Sequence, residues 1–225
     1  MIEELLPQTV VAVEAYGEEG GDAPLYPGEA ELVQRAVLKR RREFTAVRTC
    51  ARRAMEKLGV PPQAVLTGER GAPVWPDGLT GSMTHCVGYC AAALVRAGDL
   101  ASVGIDAEVH GPLPEGVLSS VALPGEAERV AGLTADRPDV HWDRLLFSAK
   151  EAVYKAWFPL TRKWLDFSEA DIELFADDGV VGRGGFRATL LVPGPEVGGR
   201  RLGGFTGRWV AEGGFVATAI AVPHG

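Results

Sequence analysis

The sequence predicts an α+β fold. Apolar residues recur with helical spacing over residues 29–58 and again over residues 141–158. The apolar runs at residues 87–109 and beyond residue 171 have the length and composition of strands. Helices and strands do not alternate one by one along the chain, so the pattern disfavours a doubly wound parallel sheet.

The first helix is predicted over residues 29–58. It should end at Gly59, because a glycine followed by Pro61 and Pro62 stops a helix. Residues 68–78 contain three glycines and two prolines and predict a loop. Two strand-like runs follow, at residues 87–96 and 101–109. The turn signal between them, at residues 97–99, predicts that the two runs pair as a hairpin.

The second half begins with a predicted loop over residues 111–140, interrupted by a short helix near residues 126–130. A longer helix is predicted from His141 to Phe158, where Pro159 should end it. From Asp171 onward the chain is rich in glycine and strand-like. Its segment Glu212–Gly213–Gly214 predicts the turn of a second hairpin.

Composition narrows the classes of function. The net charge of -7 over 225 residues disfavours nucleic acid as a partner, because phosphate backbones need a basic field. No apolar run reaches the roughly 18 residues that span a bilayer, so we expect no membrane partner. The acidic start does not resemble a signal peptide, and three cysteines without a CxxC pair suit a reducing compartment. We therefore expect a cytoplasmic protein.

One basic cluster stands out in this acidic chain. Arginine forks match the geometry of phosphate groups, so the cluster predicts a small polyanionic ligand, although several of its members could simply face solvent. The cluster comprises Lys39, Arg40, Arg41, Arg42, Arg48, Arg52 and Arg53.

The predicted strand at residues 103–109 carries two acidic side chains on one face. Alternate residues of a strand point the same way, so Asp106 and Glu108 lie side by side while Ile105 and Ala107 face the opposite side. Two adjacent carboxylates repel unless a cation lies between them, and oxygen ligands favour Mg²⁺ or Mn²⁺ over zinc. The alternative is a half-buried strand with a solvated polar face.

The helix at residues 145–160 places Glu151 and Lys155 one turn apart on one face. Taken alone, this pair is better explained as an ordinary surface ion pair. The segment Gly81–Cys86 supplies the hydroxyls of Ser82 and Thr84 and the imidazole of His85, all of which can bind phosphate oxygens. A Ser–His–acid hydrolase is the alternative here, but the sequence has no GxSxG elbow around the serine.

The four motifs in this order resemble the Sfp-type 4'-phosphopantetheinyl transferases, and especially their actinobacterial members. The similarity runs from about residue 29 to the C-terminus. Its most specific part is a VGIDAE strand followed some forty residues later by a KEAxxK helix. The segments that carry it are RRREFTAVRTCARRAMEKLG, GERGAPVWPDGLTGSMTHC, SVGIDAEVH and HWDRLLFSAKEAVYKAWFPLT.

The resemblance implies a role for each matching position. Asp106, Glu108 and Glu151 would hold the divalent metal, Mg²⁺ or Mn²⁺, and Glu151, Lys155 and Asp106 would be the catalytic residues. Glu151, or a water molecule, would take the proton of the incoming serine. The remaining matches would bind the co-substrate coenzyme A: Arg40, Arg48, Arg70, Gly71, Pro73, Ser82, Thr84, His85, Lys150 and Lys155.

The resemblance also implies the reaction and the architecture. The chain would move phosphopantetheine from coenzyme A to a serine of an acyl or peptidyl carrier protein of a fatty-acid, polyketide or nonribosomal-peptide synthase, releasing 3',5'-ADP. It would be a monomer of two similar α+β halves, residues 1–104 and 105–225, related by a pseudo-twofold axis with coenzyme A between them. The carrier protein would dock near Tyr154, Trp157, Phe158 and Lys163.

Two positions depart from the family pattern. Thr67 stands where relatives often carry lysine, so a phosphate contact would be lost unless Arg70 compensates for it. Phe147 replaces a common tryptophan before the KEA motif. Two other functions remain open: a metal-dependent phosphohydrolase, which would use water as the acceptor, and a coenzyme A- or nucleotide-binding module without catalysis.

Overall fold

Two antiparallel sheets and two long helices form the framework of the computed structural model, which describes all 225 residues. The helices are α1 (Glu29–Leu32), α2 (Leu38–Lys57), α3 (Val117–Val121), α4 (Pro124–Asp136) and α5 (Trp142–Thr161). The strands are β1 (Val11–Tyr16), β2 (Leu66–Thr67), β3 (Pro73–Val74), β4 (Leu79–Cys86), β5 (Tyr89–Arg96), β6 (Leu100–Val109), β7 (Ala170–Ala176), β8 (Arg183–Leu190), β9 (Glu196–Val197), β10 (Arg200–Arg201), β11 (Gly204–Glu212) and β12 (Phe215–Pro223).

The strands divide into a small and a large sheet. The small sheet has the order β1-β5-β4, and the large one has the order β6-β12-β11-β8-β7. The short ribbons β2–β3 and β9–β10 lie apart from both sheets. Every strand pair is antiparallel. Helices packed on antiparallel sheets confirm the predicted α+β class.

Each half of the chain packs one 20-residue helix against its sheet. Helix α2 buries an apolar stripe that includes Cys50, Ala54 and Met55 against β1 and β5. Helix α5 buries Leu146 and Val153 against the large sheet, in a core that also holds the ring of Phe186. The predicted division at residues 104 and 105 falls inside β6. The change from one sheet to the other comes earlier, in the turn at residues 97–99.

The predicted helix at residues 29–58 is broken, and the prediction of one continuous helix was wrong. The chain turns at residues 33–37 between α1 and α2, and Val37 is extended. The break has a physical cause in Glu29, whose buried carboxylate accepts hydrogen bonds from Arg52 and from the backbone N–H of Val65. These bonds hold α1 against the side of α2, so it cannot continue along the axis of α2.

The predicted hairpin between residues 87–96 and 101–109 was also wrong. Both runs are strands, but β5 pairs with β1 and β4, and β6 pairs with β12. The hairpin partner of β5 is β4, through the turn at Val87 and Gly88, where Gly88 has a φ of 83°. The last hairpin prediction is confirmed, since β11 and β12 join at Gly213 and Gly214.

The C-terminal helix runs further than predicted. Helix α5 continues through Pro159 to Thr161 and ends at Arg162, whose backbone is left-handed. A proline at this position removes only the hydrogen bond to the carbonyl oxygen four residues earlier, and that single loss falls in the last turns of the helix. None of the helices combines the length and the apolar character needed to span a membrane.

Strand β6 lies between the two halves and contacts both. Its backbone N–H groups at Ile105 and Ala107 donate to the hydroxyls of Ser82 and Thr84 on β4, at 3.1 Å each. Its opposite edge pairs with β12. Helix α5 crosses it so closely that a Cβ atom on Gly104 would stand 2.1 Å from the carbonyl oxygen of Ala152.

We expect Gly104→Ala to destabilise the protein by about 3 kcal/mol, because the added methyl group would push α5 away from β6. The free energy of unfolding, measured by urea titration, checks this. Gly132→Ala in α4 is the matched control. A Cβ atom there meets nothing within 4 Å, so replacing a helical glycine should stabilise the protein by roughly 0.5–1 kcal/mol. Equal stability of the two variants would contradict the close packing of β6.

Candidate active site

Asp106 is the centre of the candidate site. Asp106 is only 4% exposed and lies on the face of β6 that α5 covers. One carboxylate oxygen, Oδ1, accepts a 2.8 Å bond from the Lys155 ammonium and a 3.1 Å bond from the Thr84 hydroxyl. The other oxygen, Oδ2, is buried and has no hydrogen-bond partner. A buried carboxylate oxygen left unpaired is costly, so it points to a function.

Glu108 lies two residues further along the same face of β6 and is bound by a second cation of α5. Its Oε2 atom accepts a 3.1 Å bond from Nη1 of Arg144. Burial raises the pKa of the Glu108 carboxyl, the neighbouring charge of Asp106 raises it further, and Arg144 opposes both effects. The predicted pair of carboxylates on one strand face is therefore present, with a separate α5 cation on each member.

Glu151 is the third predicted metal ligand, and its carboxylate forms neither a hydrogen bond nor an ion pair in the structure. Burial raises the pKa of its carboxyl. The charge of Lys155 acts to lower that pKa, and the charge of Asp106 acts to raise it. An unpaired and partly buried carboxylate next to Lys155 and Asp106 is available for a cation or for a proton.

The three carboxylates suit a hard divalent cation by their chemistry, because Mg²⁺ and Mn²⁺ prefer oxygen ligands. The unpartnered Oδ2 of Asp106 is consistent with such a ligand. No three His, Cys, Asp or Glu side chains converge closely enough to hold a metal ion, however. Asp106 and Glu108 are instead each bound by a cation of α5.

Two of the predicted phosphate-binding residues lie beside this site and touch each other. Nη1 of Arg40 donates a 2.5 Å bond to Nε2 of His85, and the carboxylate of Glu43 lies 3.8 Å from both groups. Burial, and then the charge of Arg40, lowers the pKa of His85, which favours the neutral imidazole that can accept this bond. Arg40 is about half exposed and keeps donors for a phosphate.

Arg48 is less accessible than its predicted role suggests. It is buried, with its guanidinium carbon 3.2 Å above the ring of Phe44. It donates to the carbonyl oxygen of Val65 and to the hydroxyl of Thr67. Burial lowers the pKa of Arg48 to about 10, which still leaves it charged at neutral pH. Thr67, noted above for the lysine it replaces, therefore helps to anchor Arg48.

The predicted adenine-side segment forms a tight turn between β2 and β3. Arg70 and Gly71 both have left-handed backbones, with φ values of 53° and 81°, and Pro73 pairs with Thr67 in the β2–β3 ribbon. The turn carries the guanidinium of Arg70 to 5.6 Å from the ring of Trp164, just after α5. The segment thus reaches from the first half of the chain to the second.

Ser82 and Thr84 are buried, and their hydroxyls are bound within the protein. Both accept backbone N–H groups of β6, and Thr84 also donates to Asp106. The sequence did not predict this use of the two hydroxyls in joining β4 to β6. Thr84 thereby orients the central carboxylate.

The role predicted for Lys150 requires a correction. It was predicted to bind coenzyme A, but it is 2% exposed and lies on the side of α5 that packs against α4. Its ammonium forms a 2.9 Å ion pair with Glu126 and donates to the carbonyl oxygens of Phe167 and Ala170. Its three N–H donors are thus matched by three acceptors inside the protein, and none remains for a ligand.

Some of the residues predicted for carrier-protein docking are buried, and others lie near the surface. Trp157 and Phe158 are buried in the core, because the helix turns their side chains inward. Tyr154 packs its ring 5.0 Å from that of Trp164, which is 55% exposed. Trp164 and Arg144 were not predicted as part of the site. Arg144 could have been found, since it lies seven residues before Glu151 and hence on the same helical face.

We expect Lys150→Met to lower the free energy of unfolding by about 3–5 kcal/mol, because it leaves the buried carboxylate of Glu126 without its cation. Urea unfolding followed by far-UV circular dichroism measures this loss. The affinity of the folded fraction for coenzyme A should stay unchanged in calorimetry. A variant with wild-type stability and weakened coenzyme A binding would restore Lys150 as a ligand.

The comparisons with known proteins agree in one family. Residues 28–95 match the 4'-phosphopantetheinyl transferase N-terminal domain, and residues 102–188 match the 4'-phosphopantetheinyl transferase superfamily. The chain is 58% identical to 4'-phosphopantetheinyl transferase Svp of Streptomyces mobaraensis over 224 residues, which is 99% of this chain and 89% of that protein.

Two further relatives match over almost their whole length. Identity is 51% to 4'-phosphopantetheinyl transferase Npt of Nocardia iowensis, over 98% of this chain and 99% of the relative. Identity is 47% to 4'-phosphopantetheinyl transferase PptT of Mycobacterium tuberculosis (strain ATCC 25618 / H37Rv), over 99% of this chain and 98% of the relative. With these matches and a site of carboxylates and cations between its two halves, the chain belongs to the 4'-phosphopantetheinyl transferases.

Proposed function

We propose that this enzyme transfers 4'-phosphopantetheine from coenzyme A to a serine of an apo acyl or peptidyl carrier protein in the cytoplasm, with Mg²⁺ or Mn²⁺ as the metal. The carriers would belong to fatty-acid, polyketide or nonribosomal-peptide synthases. The observation that carries the proposal is the buried carboxylate of Asp106, with one oxygen held by Lys155 and the other unpartnered. An unpartnered carboxylate oxygen can accept a cation, and a cation held there would neutralise charge on a pyrophosphate.

The nucleotide end of coenzyme A would bind where the first half of the chain supplies positive charge. Arg40 and His85 adjoin the candidate metal ligands, and Arg40 can exchange its imidazole partner for a phosphate oxygen. Arg70 presents a second guanidinium from the β2–β3 turn. Holding the nucleotide at this end positions the pyrophosphate for attack.

Asp106, Glu108 and Glu151 would hold the divalent metal, which when bound neutralises negative charge on the phosphoryl oxygens. In the reaction, the serine oxygen forms a bond to the β-phosphorus of coenzyme A, and the bond from that phosphorus to the departing 3',5'-ADP breaks. Glu151 is the proposed acceptor of the serine proton, directly or through water. Its raised pKa and its lack of a partner support this role. Lys155 would stabilise charge on the transferred group.

The central experiment is intact-mass spectrometry of an apo acyl carrier protein incubated with the enzyme, coenzyme A and Mg²⁺. We expect the mass of one phosphopantetheine group on the carrier and release of 3',5'-ADP, and both should be abolished by EDTA. If folded enzyme modified none of several apo carriers, the proposal would fail. If coenzyme A were consumed equally fast without a carrier, a phosphohydrolase would be the better account.

Substitutions test the assigned roles. Asp106→Asn should lower kcat/KM at least about a hundredfold, since it removes a charge on which the phosphoryl transfer depends. Glu151→Gln should lower kcat by roughly 10²–10⁴, the range for loss of a general base. The matched control is Glu173→Gln on β7, an exposed carboxylate paired only with Arg187, which should retain full activity. Wild-type turnover by Glu151→Gln would remove Glu151 from the mechanism.

A further inference from the structure

Two arginines with left-handed backbones lie beside one contact between the two halves of the chain. Across all 225 residues, Arg70 and Arg162 are the only residues other than glycine with a positive φ, at 53° and 56°. The guanidinium carbon of Arg70 lies 5.6 Å from the ring centre of Trp164, and Arg162 ends α5 two residues before that tryptophan. Left-handed backbones are costly for side chains other than glycine, so they concentrate at functional positions.

The ring of Trp164 packs on the face of α5 that carries Glu151. Its centre lies 5.0 Å from that of Tyr154, which follows Glu151 by one helical turn. Burial raises the pKa of the Tyr154 hydroxyl; the charge of Arg70 opposes this effect, and that of Glu151 adds to it. The guanidinium of Arg70 is therefore close enough for its charge to act beside the candidate general base.

The contact with Trp164 leaves Arg70 able to bind an anion. Arg70 is exposed, and its guanidinium forms neither a hydrogen bond nor an ion pair within the protein. An aromatic ring attracts the charge of a guanidinium and leaves its N–H donors free for oxygen acceptors. Arg48 shows the opposite case: it too lies over a ring, but it is buried and its donors bind Val65 and Thr67.

We propose that Trp164 is a positioning residue that aims the guanidinium of Arg70 at a phosphate group of the nucleotide end of coenzyme A. The inference rests on the proposed function. A long exposed side chain loses rotamer freedom when it binds a phosphate, and a ring that already holds the guanidinium lowers that cost. Through this contact the second half of the chain contributes to nucleotide binding without touching the nucleotide.

The test measures two affinities by calorimetry, for coenzyme A and for 3',5'-ADP, which lacks the pantetheine arm. In Trp164→Ala we expect both to fall by the same factor, about three- to fivefold, the strength of an exposed cation–π contact. In the transfer reaction the KM for coenzyme A should rise by that factor, with kcat unchanged. Trp164→Tyr keeps an aromatic ring and should restore most of the affinity.

A double variant separates positioning from direct contact. Arg70→Ala should weaken both ligands roughly tenfold, as for loss of hydrogen bonds to a charged group. Trp164→Ala/Arg70→Ala should bind no more weakly than Arg70→Ala alone, because the tryptophan acts through the arginine. The matched control is Phe175→Ala on β7, which removes the ring beside Arg187 at 5.1 Å. It should leave both affinities unchanged.

Three outcomes would overturn the inference. They are unchanged 3',5'-ADP affinity in Trp164→Ala, a further loss in the double variant, and a fall of kcat with no change in KM. The first would place Trp164 against the pantetheine arm instead. If circular dichroism shows that an alanine variant is unfolded, Trp164→Leu or Arg70→Gly replaces it, and the same comparisons decide. If the folded wild type binds neither ligand, the proposed function itself fails.

Discussion

The position of β6 is the constraint on which the rest of the structure depends. On one edge its N–H groups are bound by two hydroxyls of β4, and on the other it pairs with β12. Above it, Gly104 lets α5 approach to backbone contact. The face of the strand that carries Asp106 and Glu108 is thereby held under the face of α5 that carries Glu151 and Lys155. Any shift of β6 by one residue would turn both carboxylates away from the helix.

Charge in the site is balanced mainly between the strand and the helix. β6 contributes only carboxylates, and α5 contributes two cations and one further carboxylate. Thr84 adds a neutral bond that orients Asp106. The positive groups that we propose for a nucleotide lie elsewhere, at the start of α2 and in the β2–β3 turn. An acidic protein can in this way gather positive charge at the one place where a polyanion should bind.

Patterns of residues close together in the sequence correctly predicted which side chains share a face of a strand or a helix. Strand alternation put Asp106 and Glu108 on one face, and helical spacing identified the apolar stripe of α5. Contacts between distant segments were not predictable in this way. The partners of β5 and β6, the break before α2 caused by Glu29, and the burial of Lys150 beside Glu126 all depend on residues far apart in the chain.

The hydroxyl bonds from β4 to β6 also bear on how the protein unfolds. Two halves with separate cores could in principle melt one after the other, as independent domains do. Here the edge strand of the large sheet is bound to the edge strand of the small one, and a shared apolar core of β5, β6 and β12 lies behind them. Neither half can open without exposing that core. Melting should therefore be a single cooperative transition, and β6 and α5, which carry the candidate site, should lose their structure together.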